Sequence, residues 1–329
     1  MIQQRENYFI GAVIIGRNEG QRLITCLESL IGKVDVIIYV DSGSSDNSIQ
    51  EARARKVDAI ALDLSLPFTA ARARNIGAQS LIKRYPNLAY IQFVDGDCEM
   101  EADWFLKAEL FLNKNTEYAA VSGRLHERFP KHSIYNQLMD IEWDTPIGDT
   151  LACGGITMMR ADSFNQVDGF RDDMIAGEEP EICFRMRAEG WNIYRLDTDM
   201  ARHDAAMTKI SQWWKRTVRT GYAFALGRSM HGESKERYWV KENQRIIIWG
   251  LFIPILILGL MIINPSFLGL SSIYLVQIVR VANKRADLAG IKFIWATSVV
   301  LGKIPEALGL LRFWQDKMTA RRARIIEYK

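Results

Sequence analysis

Cysteine is scarce and dispersed. The four in 329 residues, Cys26, Cys98, Cys153 and Cys183, form no C-x-x-C pair and no staple-like pattern. That excludes a disulfide-framed scaffold and points to a reducing compartment. Net charge is also small, +3 at pH 7, which by itself does not call for a nucleic-acid partner. The N-terminal stretch MIQQRENYFIGAVIIGRNEG has no basic start followed by a cleavable apolar core, so no signal peptide is expected. The most telling absence is of charge in one place. Residues 246–279 carry none over 34 positions, directly after residues 209–245, where nine Lys or Arg stand against three Glu.

A helix of that uncharged length would run about 51 Å, and a bilayer core is about 30 Å thick. Asn264, Pro265 and Ser266 offer a break. The expectation is a helical hairpin, 246–263 out and 267–279 back, with the second arm extending to Ala282 while Arg280 snorkels. Its first arm, IIIWGLFIPILILGLMII, is apolar on every face, unlike a surface helix. A third apolar segment, 291–314, carries Lys303, Pro305 and Glu306, and those charges favour an interfacial or re-entrant amphipathic helix. Lys241 and Arg245 precede the hairpin, and Arg280, Lys284 and Arg285 follow it. Both ends are therefore expected on the cytoplasmic side, and the basic tail RRARIIEYK agrees if the third segment does not cross.

The first two hundred residues alternate short apolar runs with helical patterns, as in an α/β domain with a mostly parallel central sheet. Strands are expected at 12–16, 35–40, 90–94, 119–123 and 192–197. A helix with Leu23, Leu27 and Leu30 on one face follows the first strand and stops near Gly32. Asp46 is a candidate N-cap for the next helix. Another helix runs from near Pro180 to Gly190. Polar clusters fall where such sheets bind ligands, beyond the carboxyl ends of the strands: Asn18–Glu19, 41–45 and 95–99.

Each cluster has a chemical and a plain structural meaning. Asp41 is able to accept from a base or ribose, or to close an Asx turn. Asp95 and Asp97, in FVDGDCEM, suit a hard divalent cation such as Mg²⁺ or Mn²⁺, and turns use the same residues. Glu99 and Glu101 fit as caps of a helix beginning near 102–104. Arg72 and Arg74 match phosphate oxygens, although one of the two is expected on a solvated helix face. Gly154 and Gly155 allow a ligand to approach the backbone or form a tight turn. Glu178 and Glu179 complement a helix dipole, and as adjacent like charges they also favour a raised pKa in a general base. His203 follows the last strand and gains meaning only beside Asp97. Trp213, Trp214, Arg216 and Arg219 share one helix just ahead of the apolar run.

The order VIIGRNE, VDSGSSDNS, ARARNIG, FVDGD, GGITMMR, GEEPEICFRMRAEGW resembles the family 2 glycosyltransferases over roughly residues 9–204. The resemblance implies the nucleotide-diphospho-sugar transferase (GT-A) fold and inverting transfer from an activated sugar. It places Glu19 and Asp41 at the nucleoside, Asp95 and Asp97 as the D-x-D pair with Asp97 the direct metal ligand, and Glu179 as the catalytic base beside Glu178. His203 matches a histidine that completes the metal site in some relatives. Two positions depart from the pattern: Glu179 stands where aspartate is common, and Gly16–Arg17 stand where Pro–Thr or Pro–Ala is common. QWWKR differs in order from the Q-x-x-R-W motif of processive synthases, which argues against a processive polymerase.

The organisation expected is a GT-A domain over 1–208, a basic and aromatic interfacial segment over 209–245, a transmembrane hairpin over 246–282, and an interfacial helix with a basic tail over 283–329. The enzyme is expected at the inner membrane with its catalytic domain in the cytoplasm. Donor and acceptor would be a nucleotide-diphospho-sugar and a lipid-linked saccharide, in exopolysaccharide assembly, where other assembly proteins are candidate partners. Polyprenyl phosphate as acceptor, and a non-catalytic membrane scaffold that keeps the fold, stay open as alternatives.

Overall fold

A computed structural model describes residues 8–66, 68–288, 290–319 and 321, and most of the basic tail lies outside these. The chain divides into two compact units. The first holds residues up to Met174 together with Glu178–Ala206, and the second holds Ile175–Gly177 together with Met207 onward.

In the first unit nine strands form one sheet: β1 (Phe9–Gly16), β2 (Val36–Asp41), β3 (Asp58–Ala61), β4 (Leu88–Asp95), β5 (Cys98–Met100), β6 (Tyr118–Glu127), β7 (Gly148–Thr150), β8 (Thr157–Arg160) and β9 (Asn192–His203). The order is β3-β2-β1-β4-β8-β6-β9-β5, with β7 pairing β9 off this path. β1, β2, β3 and β4 run parallel, and β8 enters antiparallel between β4 and β6. The five expected strands are present, and each extends beyond the apolar run that marks it, β2 by the single residue Asp41.

Side chains of the parallel strands alternate between two cores. Val13 and Ile15, Ile38 and Val40, and Ile91 and Phe93 enter one, while Ala12, Ile14, Tyr39, Tyr90 and Val94 enter the other. A strand buried on both faces shows no polar alternation, which is why these segments read as continuous apolar runs. The first helix, Gln21–Leu30, presents Leu23, Leu27 and Leu30 to the second core, and Gly32 follows it with φ 76°. Two caps differ from expectation. Asn47 holds the cap position before Ser48–Ala54, while the Asp46 carboxylate accepts from the Ser48 and Gly20 amides. Glu99 and Glu101 do not cap Trp104–Lys114; they pair with Arg128 and Arg202 at 2.9 and 3.0 Å.

The second unit is helical. Helix Ile210–His231 is followed by a long helix whose parts are Val240–Ile246, a π-helical turn Ile247–Phe252 and Ile253–Ile263. The chain breaks at Asn264, as expected, where the side chain accepts from the Ser266 amide. A 3-10 turn, Pro265–Ser271, then leads into Ser272–Ala282, and Lys292–Leu301 and Lys303–Met318 complete the unit. Among the described residues three segments are long and apolar enough to cross a membrane: Val240–Ile263, Pro265–Ala282 and Lys292–Met318. The third therefore meets the requirement despite its charges, and Lys303 and Glu306 neutralise each other at 2.6 Å. Ile255, Leu258, Ile262, Ile263, Leu275 and Val276 are exposed, as expected of side chains facing lipid.

The buried side of this unit is closed by glycine. A Cβ added at Gly309 would stand 2.0 Å from the Val218 carbonyl oxygen, one at Gly221 1.9 Å from that of Glu306, and one at Gly250 2.0 Å from that of Lys303. Small residues at such crossings let helix backbones meet, the usual basis of packing where solvent provides no hydrophobic drive. Gly309→Leu should therefore destabilise the unit by about 1–3 kcal/mol through overpacking. Gly259→Leu, at a position with nothing within 4 Å, serves as the control. Thermal unfolding in detergent checks this, and equal melting of the two variants would contradict the packing described.

Candidate active site

Register brings the polar clusters together. Asp41 lies opposite Gly16, and Asp95 opposite Ile15, so the ends of β1, β2 and β4 form one row. The loops beyond are tied to each other: the Asn18 carboxamide oxygen accepts from the Ser45 amide, and the Asn18 amide donates to the Ser44 hydroxyl. Asn18 adopts a left-handed backbone, φ 58°, which asparagine tolerates well. Asp41 is 2% exposed and already occupied, accepting from the Tyr39 hydroxyl and from the Gly43 and Ser44 amides. Burial and this hydrogen bond to Asp41 push the Tyr39 phenol well above its usual range. Asp41 thus shapes its own loop. Glu19 pairs with Arg22 at 2.8 Å, and its Cγ lies 3.2 Å from where a Cβ on Gly96, between Asp95 and Asp97, would stand.

The centre of the site is Arg74. The guanidinium is 2% exposed and faces three carboxylates: Asp95 at 2.9 Å, Glu178 at 2.9 Å and Glu179 at 3.1 Å. Its helix, Ala70–Arg84, is capped by Thr69, whose hydroxyl accepts from the Arg72 amide. Three residues of the ARARNIG stretch divide the work. Arg74 reaches the carboxylates. Asn75 accepts from the Phe170 amide and donates to Asp172, fixing the loop whose Phe170 ring lies 5.7 Å from the Arg74 guanidinium. Gly77 lets the helix rest on the sheet, since a Cβ there would stand 2.4 Å from Val13. Arg72 is elsewhere: it donates to the carbonyls of Asp63 and Leu66, and it too is buried. Neither arginine occupies a solvated face.

Gly155 closes the other side of this cluster. A Cβ there would meet Arg74 at 2.4 Å, Glu179 at 3.0 Å and Asp95 at 3.1 Å. A Cβ at Gly154 would have nothing within 4 Å, so that position faces open space outside the packed cluster. Helix Glu178–Ala188 begins at Glu178, two residues earlier than Pro180. Glu178 is buried, while the Glu179 side chain keeps 18% exposure. Burial first, and then the Glu178 charge, raise Glu179 to about 7; Arg74 opposes the rise.

A second group adjoins the first along the chain. β5 pairs with β9 so that Cys98 lies opposite His203. His203 Nε2 is 3.1 Å from Asp97 Oδ1, and Asp97 is 4% exposed. Asp97, Cys98 and His203 offer ligand atoms within 4.8 Å of one another. A carboxylate oxygen and an imidazole nitrogen at this separation fit a divalent cation such as Mn²⁺ or Mg²⁺, whereas the buried Cys98 sulfur is too soft for either. Two residues support His203 and carried no recognisable signal in the sequence. The Trp143 ring lies 4.7 Å from the imidazole. Glu127, opposite His203 across β6 and β9, accepts from the Phe129 and Ala205 amides and from Asn136. Burial raises the Glu127 pKa. An acid at the end of a strand is too common a pattern to have marked Glu127 in advance.

The fold is that of the GT-A glycosyltransferases. S. aureus TarS 1–349 superposes with TM-score 0.51 at 10% identity, over 95% of this chain and 92% of that one. The mannosyltransferase PcManGT from Pyrobaculum calidifontis, solved in complex with GDP-Man and Mn²⁺, does so with TM-score 0.60 at 15% identity, over 92% and 86%. At such identities the likeness is one of fold. No curated protein matches the chain. Residues 12–167, a little under half of the chain, match the family described as Glycosyl transferase family 2, so that stretch carries a glycosyltransferase domain. The matched segment ends before Glu178, Glu179 and His203.

Removing Arg74 leaves Glu178 as a buried charge with its guanidinium partner gone. Arg74→Met should lower stability by about 3–5 kcal/mol, the usual effect of breaking one side of a buried ion pair. Arg74→Lys, a point charge in place of a fork, should recover only part of it. Chemical denaturation measures both, and a wild-type midpoint for Arg74→Met would contradict the arrangement.

Proposed function

We propose that the protein transfers a sugar, with inversion, from a nucleotide-diphospho-sugar to a hydroxyl of a lipid-linked saccharide, and that Glu179 is the base. The observation that carries this reading is the Arg74 cluster, where a carboxyl poised at about 7 is held beside the D-x-D turn. A base works best when its pKa lies near the working pH. Glu179 takes the proton of the acceptor hydroxyl. The hydroxyl oxygen then bonds to the anomeric carbon from the face opposite the diphosphate, whose bond to that carbon breaks. Arg74 orients Glu179 and holds Asp95. Glu19 borders the nucleoside pocket, and Asp41 maintains the loop that forms it. Asp97 and His203 would hold the divalent cation, Mg²⁺ or Mn²⁺, and that ion offsets charge on the leaving nucleoside diphosphate.

The lipid-linked acceptor is supported by the three apolar segments and by the basic residues flanking the first two, Lys241, Arg245, Arg280 and Lys284. The same asymmetry supports a cytoplasmic catalytic unit at the inner membrane. An interfacial setting for the last segment is supported by the basic tail RRARIIEYK, which a third crossing would carry to the opposite side. Assays offering a lipid-linked saccharide, polyprenyl phosphate or water as acceptor separate this reading from a polyprenyl-phosphate synthase and from a scaffold without turnover.

Glu179→Gln should abolish transfer while donor affinity stays close to wild type, and normal turnover in that variant would remove Glu179 from the role. Because the ionised form is the base, kcat/KM should climb as pH rises through about 7 and then level off. A profile flat from about pH 5 to 8 would contradict the assignment. Asp97→Asn and His203→Ala should each weaken Mn²⁺-dependent binding of the nucleoside diphosphate, read by calorimetry with and without the ion. Unchanged metal dependence in both would remove this pair from the metal site.

A further inference from the structure

Two cysteines far apart in sequence meet behind the base. Cys153 Sγ and Cys183 Sγ are 3.3 Å apart, and both residues are buried. Cys183 lies one turn beyond Glu179 on helix Glu178–Ala188. Cys153 lies two residues before Gly155, whose backbone abuts Arg74, Glu179 and Asp95. The thiol pair therefore joins the two backbone segments that enclose the carboxylate cluster. No step of the proposed transfer uses either sulfur.

We propose that Cys153 and Cys183 form a reversible oxidation site, in which a peroxide converts the two thiols to a disulfide and displaces the Gly155 turn against the base. Either sulfur can donate the hydrogen bond they share, so one thiol stabilises the thiolate of the other, here that of Cys183. Its thiolate bonds to one peroxide oxygen, the O–O bond breaks, and hydroxide leaves, giving a sulfenic acid. The Cys153 sulfur then bonds to the Cys183 sulfur, the S–O bond breaks, and the Cys153 proton departs with the oxygen as water. Two cysteine sulfurs are oxidised and one peroxide is reduced to two molecules of water. A disulfide bond is about 2.05 Å long, so the sulfurs must close by roughly 1.2 Å. Even a methyl group added at Gly155 would collide with Arg74, Glu179 and Asp95, so the Gly155 turn has little room to move toward the cluster. Displacement of about 1 Å in a catalytic group is enough to lower a rate about 100-fold.

That oxidation controls transfer rests on the function proposed above; the pairing of the thiols does not. The full chain in detergent is treated with hydrogen peroxide, unreacted thiols are alkylated in denaturant, and peptides are mapped. Two of the four cysteines should be lost as a Cys153–Cys183 disulfide, while Cys26 and Cys98 remain alkylated. Transfer should fall about 100-fold and return with dithiothreitol. In Cys183→Ser and Cys153→Ser the ratio of activity after peroxide to activity before it should stay near one. Four alkylated cysteines after peroxide, a crosslink between any other pair, or the same loss of activity in the serine variants would overturn the proposal. Should the reduced wild type show no transfer at all, the functional reading fails while peptide mapping still decides the pairing.

Discussion

One buried cation sets the terms for the rest of the catalytic unit. Arg74, itself buried, faces three carboxylates, and three such anions in that space would otherwise repel one another strongly. Holding the guanidinium there requires a helix close to the sheet, which Gly77 allows, and a loop fixed over the ring of Phe170, which Asn75 provides. It also requires a backbone without side chain at Gly155. The parallel register of β1, β2 and β4 then fixes where Asp95 ends. Each of these features is ordinary alone, and each exists in the geometry that the arginine needs.

The same interaction leaves the two glutamates unequal. Glu178 is buried and accepts from Arg74 at 2.9 Å, while Glu179 keeps partial exposure and a pKa of about 7. Adjacent residues of one type therefore separate into a buried partner of Arg74 and a partly exposed acid whose pKa is raised. The separation follows from burial and distance to one guanidinium, so it belongs to the fold and not to the residue type.

The strands, the turn residues at their ends and the break at Asn264 were legible in the sequence, because apolar runs and turn chemistry are local signals. The partners of those residues were not. That Arg74 enters the site while Arg72 secures the carbonyls of Asp63 and Leu66 depends on which face of one helix meets the sheet, and both arginines read alike in a string. Glu99 and Glu101 read as caps, yet long-range pairing of β5 with β9 gives them arginine partners instead. Trp143 and Glu127 were unreadable for a related reason: their relation to His203 spans 60 and 76 positions and exists only once the strands are assembled.

The glycine contacts of the helical unit have a consequence for how that unit can vary. Gly221, Gly250 and Gly309 each bring a carbonyl oxygen to within the space of a single methyl group. An ordinary core adapts to change by degrees, since neighbouring side chains find other rotamers. A seam made of backbone against backbone has no rotamers to exchange. Its tolerance to sequence change is accordingly a step and not a slope: the outer face is free to drift among apolar residues, while three fixed points decide whether the helices meet at all.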